Sequence, residues 1–508
     1  MADGSSARWD FVSSVCSAGP AAPLPSREFR FPIRSDSVFK GTMSLPHRFC
    51  SRLLACFALL VSLSAATAAD ATWKAGFAAA KITPTEPLML AGYASRTIPA
   101  RDVVDDLHLK VLALEDAAGS RSIVITADLI GFRADFTEPA CARITAATGI
   151  PRERMLLNAS HTHAGPAVMM SLQSHYTIAP EQAEKLIAYT RKLQDQCVSL
   201  ATQAIGRLQP ARISWGVGVV NFPMNRREFT ERGVILGVNP RGPVDRSVPV
   251  LRVDSPEGKL IGVVFGAACH NTTYGSRDNQ ISGDFASAAQ TFLEREFPGA
   301  QAMFMLGLAG DANPYPNSLN DPAKRPASEI AREHGTSLGR EVTRVLGNAL
   351  KPVNGPLRVA HAMTALPLQK APSRDELERT SAKAGSTQKW VADQMLARLK
   401  AGETLPTTYS APVTVWQFGS DLTLVGLPGE VVVDYVRLIE EALGPLKLWL
   451  AAYSSDTFGY LPSARVLREG GYETRGLYHG GIGYFAPEVE GVLVNKVQEL
   501  AGQAGRAK

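Results

Sequence analysis

From Lys74 onward, short apolar stretches alternate with longer amphipathic stretches, and this alternation limits the possible folds more than any other feature of the sequence. Residues 107–114 alternate as a strand does, and 121–126 form a β-branched run, whereas 136–148 and 182–206 have the length and apolar spacing of helices. The alternation continues with predicted strands at 154–159, 248–253, 260–268, 302–308, 413–418, 422–427 and 448–452, and predicted helices at 285–297, 328–350 and 431–443. Interleaved strands and helices predict an α/β protein with a mixed sheet.

The distribution of charge excludes one class of partner. Residues 1–69 hold seven basic and four acidic side chains, so the rest of the chain carries only about +2 of the formal net charge of +5. The sequence pI of 8.8 therefore owes much to the N-terminal segment. Because no basic stripe is visible in the remainder, we expect no nucleic-acid partner.

The N-terminal segment has the features of an export signal. Two arginines precede the apolar run 53–63, and small residues follow it. A basic start, a short apolar core and an Ala-x-Ala end are typical of a secretory signal peptide, and the run is too short to predict a membrane span. We expect a signal peptide at 43–69, cleaved near Ala68 or Ala69, and an exported protein, either periplasmic or secreted. Residues 1–42 are interpreted as a disordered leader or a mis-assigned start.

Three cysteines remain after such a cleavage, namely Cys141, Cys197 and Cys269. Export permits a disulfide, and an odd number leaves at least one thiol free or paired between chains. The sequence does not decide the pairing.

The remaining chain, 70–508, is expected to form a catalytic domain with one segment of different character. Residues 370–406 are charged and poor in β-forming residues, and 375–400 has a helical pattern. We predict that this segment is an inserted helical hairpin or surface arm.

The sharpest local motif is the sequence His161-Thr162-His163, followed by Gly165-Pro166 at the end of the predicted strand 154–159. In an extended chain, residues two apart share a face. Both imidazoles are therefore expected to point into one cleft, where one binds a metal and the other handles protons. The alternative is a pair of polar residues at a strand end.

Three further candidates also follow apolar strands. His270 comes after the strand 260–268, Glu430 follows 422–427 at a Pro-Gly bend, and Tyr460 lies beyond 448–452. Functional groups often gather at strand ends in α/β sheets. The alternatives are a surface histidine, an acid at a helix N-terminus and a packed aromatic ring.

Two polar residues fit the binding of a carbonyl group. Arg226 is suited to hold a substrate carbonyl or a developing oxyanion, and its alternative is a solvated charge. Tyr472 follows two glycines, and its alternative is a packed aromatic ring. Ser282-Gly283-Asp284 is interpreted as a helix N-cap, and 310–314 as a turn. The sequence contains no nucleophile elbow, phosphate-binding loop or dinucleotide fingerprint.

Taken together, these segments resemble the neutral/alkaline ceramidase family in order and spacing. The opening residues 75–84 with Ala91-Gly92-Tyr93 are similar to the N-terminal strand and loop of that family, and 161–166 is similar to its His-Thr-His-Ser-Gly-Pro signature. The likeness runs from about Lys74 to about Tyr484. It implies a mixed-sheet zinc hydrolase catalytic domain that cleaves a linear amide bond with a metal-activated water.

The resemblance also implies a role for each candidate residue. Zinc is expected to be held by His161, His270, Glu430 and Tyr460. His163 is expected to be the general base and acid, with Arg226 and Tyr472 binding the scissile amide. These roles come from motif position in the family.

Two departures from the family pattern concern the substrate. Asn313 stands where ceramidases carry a Ser before the Pro of the 310–314 loop. The sequence ends at Lys508, so no C-terminal sandwich-like domain is expected. Both departures put the long-chain lipid substrate in doubt more than the reaction class.

Three hypotheses for function follow. The first is a secreted zinc amidase acting on ceramide or a related N-acyl amide, the second is a zinc esterase or phosphoesterase, and the third is a non-catalytic binding protein. The presence of both His161 and His163, with Arg226 and Tyr472, favours catalysis. The partner is expected to be a small-molecule or lipid amide, peripheral membrane contact is compatible with this, and the oligomeric state stays open.

Overall fold

The computed structural model describes residues 72–171, 178–383, 387–477 and 483–507. The predicted leader, 1–42, and the predicted signal peptide, 43–69, lie outside the described residues. Within the described part of the chain, no helix is both long enough and apolar enough to cross a membrane.

The described part of the chain consists of twenty strands and nine α-helices. The strands are β1 (Trp73–Lys81), β2 (Asp102–Val103), β3 (His108–Asp116), β4 (Arg121–Ala127), β5 (Met155–Ala159), β6 (Gln209–Val219), β7 (Pro223–Thr230), β8 (Gly233–Asn239), β9 (Ser247–Asp254), β10 (Leu260–Ala267), β11 (Gln280–Ile281), β12 (Gln301–Leu306), β13 (Ala312–Pro314), β14 (Lys351–Val353), β15 (Leu357–Pro367), β16 (Thr408–Phe418), β17 (Leu422–Gly426), β18 (Glu430–Val431), β19 (Leu448–Ala451) and β20 (Tyr460–Leu461). The helices are α1 (Ala134–Thr148), α2 (Pro180–Gly206), α3 (Asp284–Glu296), α4 (Ala327–Leu346), α5 (Arg374–Ser381), α6 (Thr387–Lys400), α7 (Asp434–Leu443), α8 (Ala464–Glu469) and α9 (Val489–Gln503).

A nine-stranded sheet forms the centre of the fold, in the order β12-β10-β9-β6-β1-β3-β4-β5, with β14 paired to β6. The pairs β4/β5 and β10/β12 are parallel and the other pairs are antiparallel. The predicted α/β class with a large mixed sheet is therefore confirmed. A second sheet, β15-β16-β17-β19, has four strands.

The large sheet is buried on both faces, and strand β3 shows how the sequence achieves this. Leu109, Val111 and Ala113 point into the core shared with α1 and α2. Leu112 and Leu114 point the other way, into the core shared with the four-stranded sheet. Side chains alternate between faces along a strand, so a strand covered on both sides carries apolar residues at consecutive positions, here 111–114. Helix α9 packs on the outer side of the second sheet through contacts with β15 and β16.

The edge strands β5 and β12 of the large sheet approach each other, and Asn158 joins them. Its side-chain amide donates to the carbonyl oxygen of Leu306 at 3.3 Å and accepts from the Leu306 N–H at 2.8 Å. Nδ2 of Asn158 also donates to the carbonyl oxygen of Ala452 at 2.7 Å, next to the end of β19. One buried amide therefore brings together the ends of three strands, and the residues that follow those strands meet at this place.

Two differences from the sequence-based prediction have clear causes. The alternating strand β6 was not predicted, although Ala211, Ile213 and Trp215 are buried at every second position. Helix α7 begins at Asp434 and not at residue 431, because Glu430 and Val431 pair with Tyr460 and Leu461 as strands.

Residues 370–406 contain α5 and α6, which pack on each other in the connection between β15 and β16.

The three described cysteines are buried and free. Burial raises the pKa of the Cys141 thiol to about 11. A thiol with such a pKa is a poor nucleophile, and none of these cysteines lies in a CxxC spacing.

Candidate metal centre

Four predicted metal ligands lie at the ends of strands that the fold brings together. His161 follows β5 and His270 follows β10, while Glu430 and Tyr460 begin the paired strands β18 and β20. All four are buried, with at most 5% of their surface exposed. The prediction of a shared site is supported by their position, and three alternatives are excluded: His270 is not a surface residue, Glu430 is not in a helix, and Arg226, at 4% exposure, is not solvated.

The reason given for the convergence of His161 and His163 is wrong. Strand β5 ends at Ala159, and His161 has a left-handed backbone with φ of 62°. The two imidazoles meet because the chain turns here, and not because an extended strand places them on one face. A non-glycine residue at positive φ is strained and is often found at a functional site.

The Nε2 atoms of His161 and His270 converge on one carboxylate oxygen of Glu430. Nε2 of His161 lies 3.3 Å from Oε2 of Glu430, and Nε2 of His270 lies 3.1 Å from the same atom. Nε2 of His163 lies 3.1 Å from Nε2 of His161. The ligand atoms of the three histidines all lie within 4.8 Å of one another.

The Nδ1 atoms of His161 and His270 each contact a backbone carbonyl oxygen. Nδ1 of His161 lies 2.5 Å from the carbonyl oxygen of Ile130, and Nδ1 of His270 lies 2.6 Å from that of Ala309. Because a carbonyl only accepts, each Nδ1 carries the proton, and a neutral imidazole has no second one. Each Nε2 then directs a lone pair at the Glu430 carboxylate, and a cation between them would satisfy all three donor atoms. Metal-binding histidines commonly have this second-shell arrangement.

Backbone contacts hold Glu430 in place. Its N–H donates to the carbonyl oxygen of Gly459 at 2.8 Å, and the N–H of Gly310 donates to the carbonyl oxygen of Val431 at 2.8 Å. A Cβ on Gly310 would lie 2.5 Å from the Glu430 carbonyl oxygen, so this approach requires glycine. The segment 310–314, predicted as a simple turn, therefore includes a structural support of the site, and Asp311 accepts from the N–H of Val433 at 2.8 Å.

Burial disfavours a positive charge on the imidazoles of His163 and His270. Burial is the largest cause that lowers the pKa of His270 to about 3, and the positive charge of Arg226 adds to it. Burial also lowers the pKa of His163 well below its usual value, with further contributions from His161 and His270. Neutral His163 and His270 imidazoles beside the Glu430 carboxyl group form a set of donor atoms that suits a cation.

His163 packs against the loop 91–96. Its ring lies edge-on to Tyr93 at a centroid distance of 4.9 Å. A Cβ added to Gly92, which has φ of 93°, would lie 2.3 Å from Nδ1 of His163. Arg96 donates to the His163 carbonyl oxygen at 2.5 Å and to the Ala91 carbonyl oxygen at 2.6 Å. The loop thus determines where the His163 ring lies.

Arg226 and Tyr472 lie next to the histidines. Nη1 of Arg226 lies 3.2 Å from Nε2 of His270 and 3.3 Å from Oδ1 of Asn313. The guanidinium carbon of Arg226 lies 5.2 Å from the ring centre of Tyr460 and 5.7 Å from that of Tyr472. The structure therefore brings all seven predicted site residues into one neighbourhood.

Sequence reasoning missed several residues of this neighbourhood. The ring of Tyr453 lies 4.6 Å from that of His161, and its hydroxyl lies 3.4 Å from Nδ1 of His270. Glu473 accepts from Nε of Arg226 at 3.0 Å. Tyr453 directly follows the strand predicted at 448–452, so the strand-end rule that selected Tyr460 applied to it equally.

Comparison with solved structures identifies the fold. No protein-family model and no curated protein matches the sequence. The neutral ceramidase from Pseudomonas aeruginosa superimposes with a TM-score of 0.65 and 20% sequence identity, over 85% of this chain and 74% of that chain. A ceramidase complexed with C2 matches with a TM-score of 0.65 and 20% identity, over 85% of this chain and 75% of that one.

The chain is therefore an α/β protein with a buried histidine and carboxylate cluster at the ends of its strands. More specifically, it has the fold of the neutral ceramidases, and the resemblance predicted from its motifs is confirmed at the level of the fold.

Proposed function

We propose that the protein is a zinc-dependent hydrolase that cleaves the linear amide bond of ceramide or a related N-acyl amide, releasing a fatty acid and an amine. One observation carries the proposal: the Nε2 atoms of His161 and His270 converge on one oxygen of Glu430 while their Nδ1 atoms are held by backbone carbonyls. The neutral-ceramidase fold supports the choice of amide as the substrate bond.

His161, His270 and Glu430 would hold the metal, with Tyr460 as the fourth ligand. Imidazole nitrogen and carboxylate oxygen are donors that zinc prefers. When bound, zinc supplies Lewis acidity that makes water a nucleophile at neutral pH. Because one Nε2 lone pair cannot serve two partners, Arg226 must give up its contact with His270 when the site is loaded.

His163 moves the protons at its Nε2 atom. Burial keeps this imidazole neutral, so it can accept a proton from the attacking water and later return one to the leaving nitrogen. Its Nε2 lies 3.1 Å from Nε2 of His161, which would hold the metal, so His163 is close enough to reach the attacking water. His163 also belongs to the three-histidine cluster, so its role as base requires a separate test from its role as ligand.

Arg226 and Tyr472 bind the acyl group. Nη1 of Arg226, released from His270, is a charged donor for the oxygen on which negative charge develops. The Tyr472 hydroxyl is the second donor, and burial raises its pKa, so it remains protonated. In such buried surroundings, these hydrogen bonds are stronger than in water.

The proposal includes export. Residues 43–69 have the composition of a signal peptide, and we propose that the mature chain acts outside the cytoplasm. A lipid amide would be met at a membrane surface, which favours peripheral contact.

A matched substrate panel tests the reaction class. We would offer the purified mature chain N-acyl amides, including a fluorogenic N-acyl-sphingosine, and esters with the same acyl groups. Cleavage of amides at least tenfold faster than of esters supports the proposal. Faster ester cleavage identifies a zinc esterase, and zinc binding without turnover of any substrate identifies a non-catalytic binding protein.

A further inference from the structure

Glu473 is a buried carboxylate that contacts two consecutive arginines of strand β7. It is 1% exposed and lies in the 3₁₀ turn Tyr472–Thr474. Oε1 accepts from Nε of Arg226 at 3.0 Å, and Oε2 accepts from Nη1 of Arg227 at 2.6 Å. A buried charge is costly unless it is paired, and Glu473 provides that pairing for both guanidinium groups.

The bond to Nε determines the orientation of the Arg226 guanidinium. This group is a planar fork of N–H donors, so holding Nε fixes where the two terminal nitrogens point. Nη1 lies within 3.2 Å of Nε2 of His270 and 3.3 Å of Oδ1 of Asn313. Nη2 has no acceptor among the residues that the structure describes. The Glu473 carboxylate, which accepts from Nε, therefore determines where the Nη1 and Nη2 donors of Arg226 point.

The same carboxylate ties Arg226 to Tyr472. Glu473 and Tyr472 are neighbours in one turn, and the Tyr472 ring lies 5.3 Å from that of Tyr460. Strand β8, the partner of β7, also contacts this turn. A shift of Glu473 would thus move both groups that are proposed to bind the amide.

We infer that Glu473 is a positioning residue that sets the direction of Arg226 and its distance from Tyr472. The inference rests on the proposed function, because that function makes the acyl oxygen of the substrate the common target of Arg226 and Tyr472. Glu473 holds the donors before substrate arrives, and pre-oriented donors stabilise developing charge without reorganisation.

Glu473→Gln tests the inference, and Glu469→Gln is its matched control. Glu469 contacts Nη2 of Arg227 at 3.1 Å and also pairs with Arg465, so it belongs to the same charge network without touching Arg226. We expect Glu473→Gln to lower kcat about 10- to 100-fold, with KM changed less and zinc content unchanged. Glu469→Gln is expected to keep kcat within about twofold of the wild-type value.

Glu473→Gln replaces the carboxylate beside Arg226 with a neutral amide and leaves Arg227 with Glu469 as its carboxylate partner, so it can prevent folding. The double variant Glu473→Gln with Arg227→Gln restores the charge balance. If the folded double variant has wild-type kcat, the inference is wrong. Glu473→Asp, which keeps the charge on a shorter side chain, should recover part of the lost kcat. Equal losses in Glu473→Gln and Glu469→Gln would assign Glu473 a purely structural role.

Octanoate binding separates failure of the inference from failure of the proposed function. Titration calorimetry measures octanoate binding to the zinc-loaded wild type and to Arg226→Leu. Weaker binding to Arg226→Leu shows that Arg226 contacts the carboxylate, even if no amide is cleaved. Binding weakened at least fivefold in Glu473→Gln but not in Glu469→Gln supports positioning. Unchanged or tighter binding in Glu473→Gln, or a wild type that neither cleaves amides nor binds octanoate, overturns the inference.

Discussion

His161 and His270 present the same ring nitrogen to the same carboxylate oxygen, with Nε2 of each within 3.3 Å of Oε2 of Glu430. The two residues arrive from different strands, β5 and β10, and each is oriented by a backbone carbonyl that holds its Nδ1. The backbone itself therefore selects the tautomer that leaves Nε2 open. This shared orientation, more than the number of histidines, distinguishes the cluster from a set of packed side chains.

His161→Ala should remove both the metal and the activity, because it deletes a ligand. His163→Ala should retain close to one zinc per chain and lower kcat by about 10²- to 10⁴-fold, the usual contribution of general acid–base catalysis. Metal analysis after gel filtration, combined with steady-state kinetics, checks both. If His163→Ala loses zinc as His161→Ala does, His163 is a ligand, and the assigned roles must be exchanged.

Gly92→Ala should displace the His163 ring, because the added Cβ would lie 2.3 Å from Nδ1. Gly119→Ala is the matched control: Gly119 also has positive φ, 78°, but has nothing within 4 Å of the added Cβ. Both variants should lose about 1 kcal/mol or more of unfolding free energy through backbone strain. Only Gly92→Ala should also lose activity with zinc retained. Equal kinetics in the two variants would show that the loop does not position His163.

Asn313→Ser restores the residue found in the family pattern and should raise the preference for ceramide over short N-acyl amides. Oδ1 of Asn313 accepts from Arg226 and from the Thr272 hydroxyl, each at 3.3 Å. A shorter serine would loosen this hold on the guanidinium. Competition between the two substrates measures the preference directly, and zinc content serves as the control. A preference that does not change would make the loop structural in this protein.

Asp128→Asn should flatten the pH dependence of stability. Burial raises the pKa of Asp128 from 3.8 to about 7, so the folded protein binds this proton more tightly than the unfolded chain does. The stability from this group is complete below pH 3.8 and is lost as the pH rises through 7, by up to roughly 4 kcal/mol at 1.36 kcal/mol per pKa unit.

Denaturant unfolding of both proteins at intervals from pH 4 to pH 8 checks this effect. The difference between wild type and variant isolates Asp128 from the other buried carboxylates. Asp128 also accepts from the His108 N–H at 2.9 Å and from Gln290 at 3.2 Å, so the variant starts from a lower stability. The slope with pH is therefore the measured quantity, and parallel curves would contradict the assigned pKa.

The sequence predicted those parts of the fold whose hydrophobic pattern is strong and local. Strand β4 was predicted at 121–126 and spans Arg121–Ala127, and helix α2 was predicted at 182–206 and spans Pro180–Gly206. Strand β6 was missed because its alternating half, 211–215, is short: a proline precedes it, and Gly216 and Gly218 follow it. Short strands such as β18 depend on a partner thirty residues away, and no local pattern indicates them.

The sequence indicated seven residues that lie together at the site, but it did not indicate their geometry, and it missed Tyr453 and Glu473. Motif position selected His161, Glu430 and Tyr460, but the left-handed turn at His161 arises from contacts with residues 129 and 130. Glu473 was missed because its partner Arg226 is 247 residues away in the sequence. Such a pairing leaves no trace in composition or spacing. The family motifs also do not predict the substrate, since Asn313 departs from the family at the position where substrate selectivity is expected.

Zinc content and chelator-sensitive amide cleavage, measured together on the purified mature chain, test the central claim most directly. We predict about one zinc per chain, cleavage of a fluorogenic N-acyl-sphingosine or a shorter N-acyl amide, loss of cleavage on chelation, and recovery when zinc is restored. His161→Ala, carried through the same steps, should bind no zinc and recover nothing. A wild-type chain that binds no metal under these conditions, or that cleaves the amide equally well after chelation, would contradict the account.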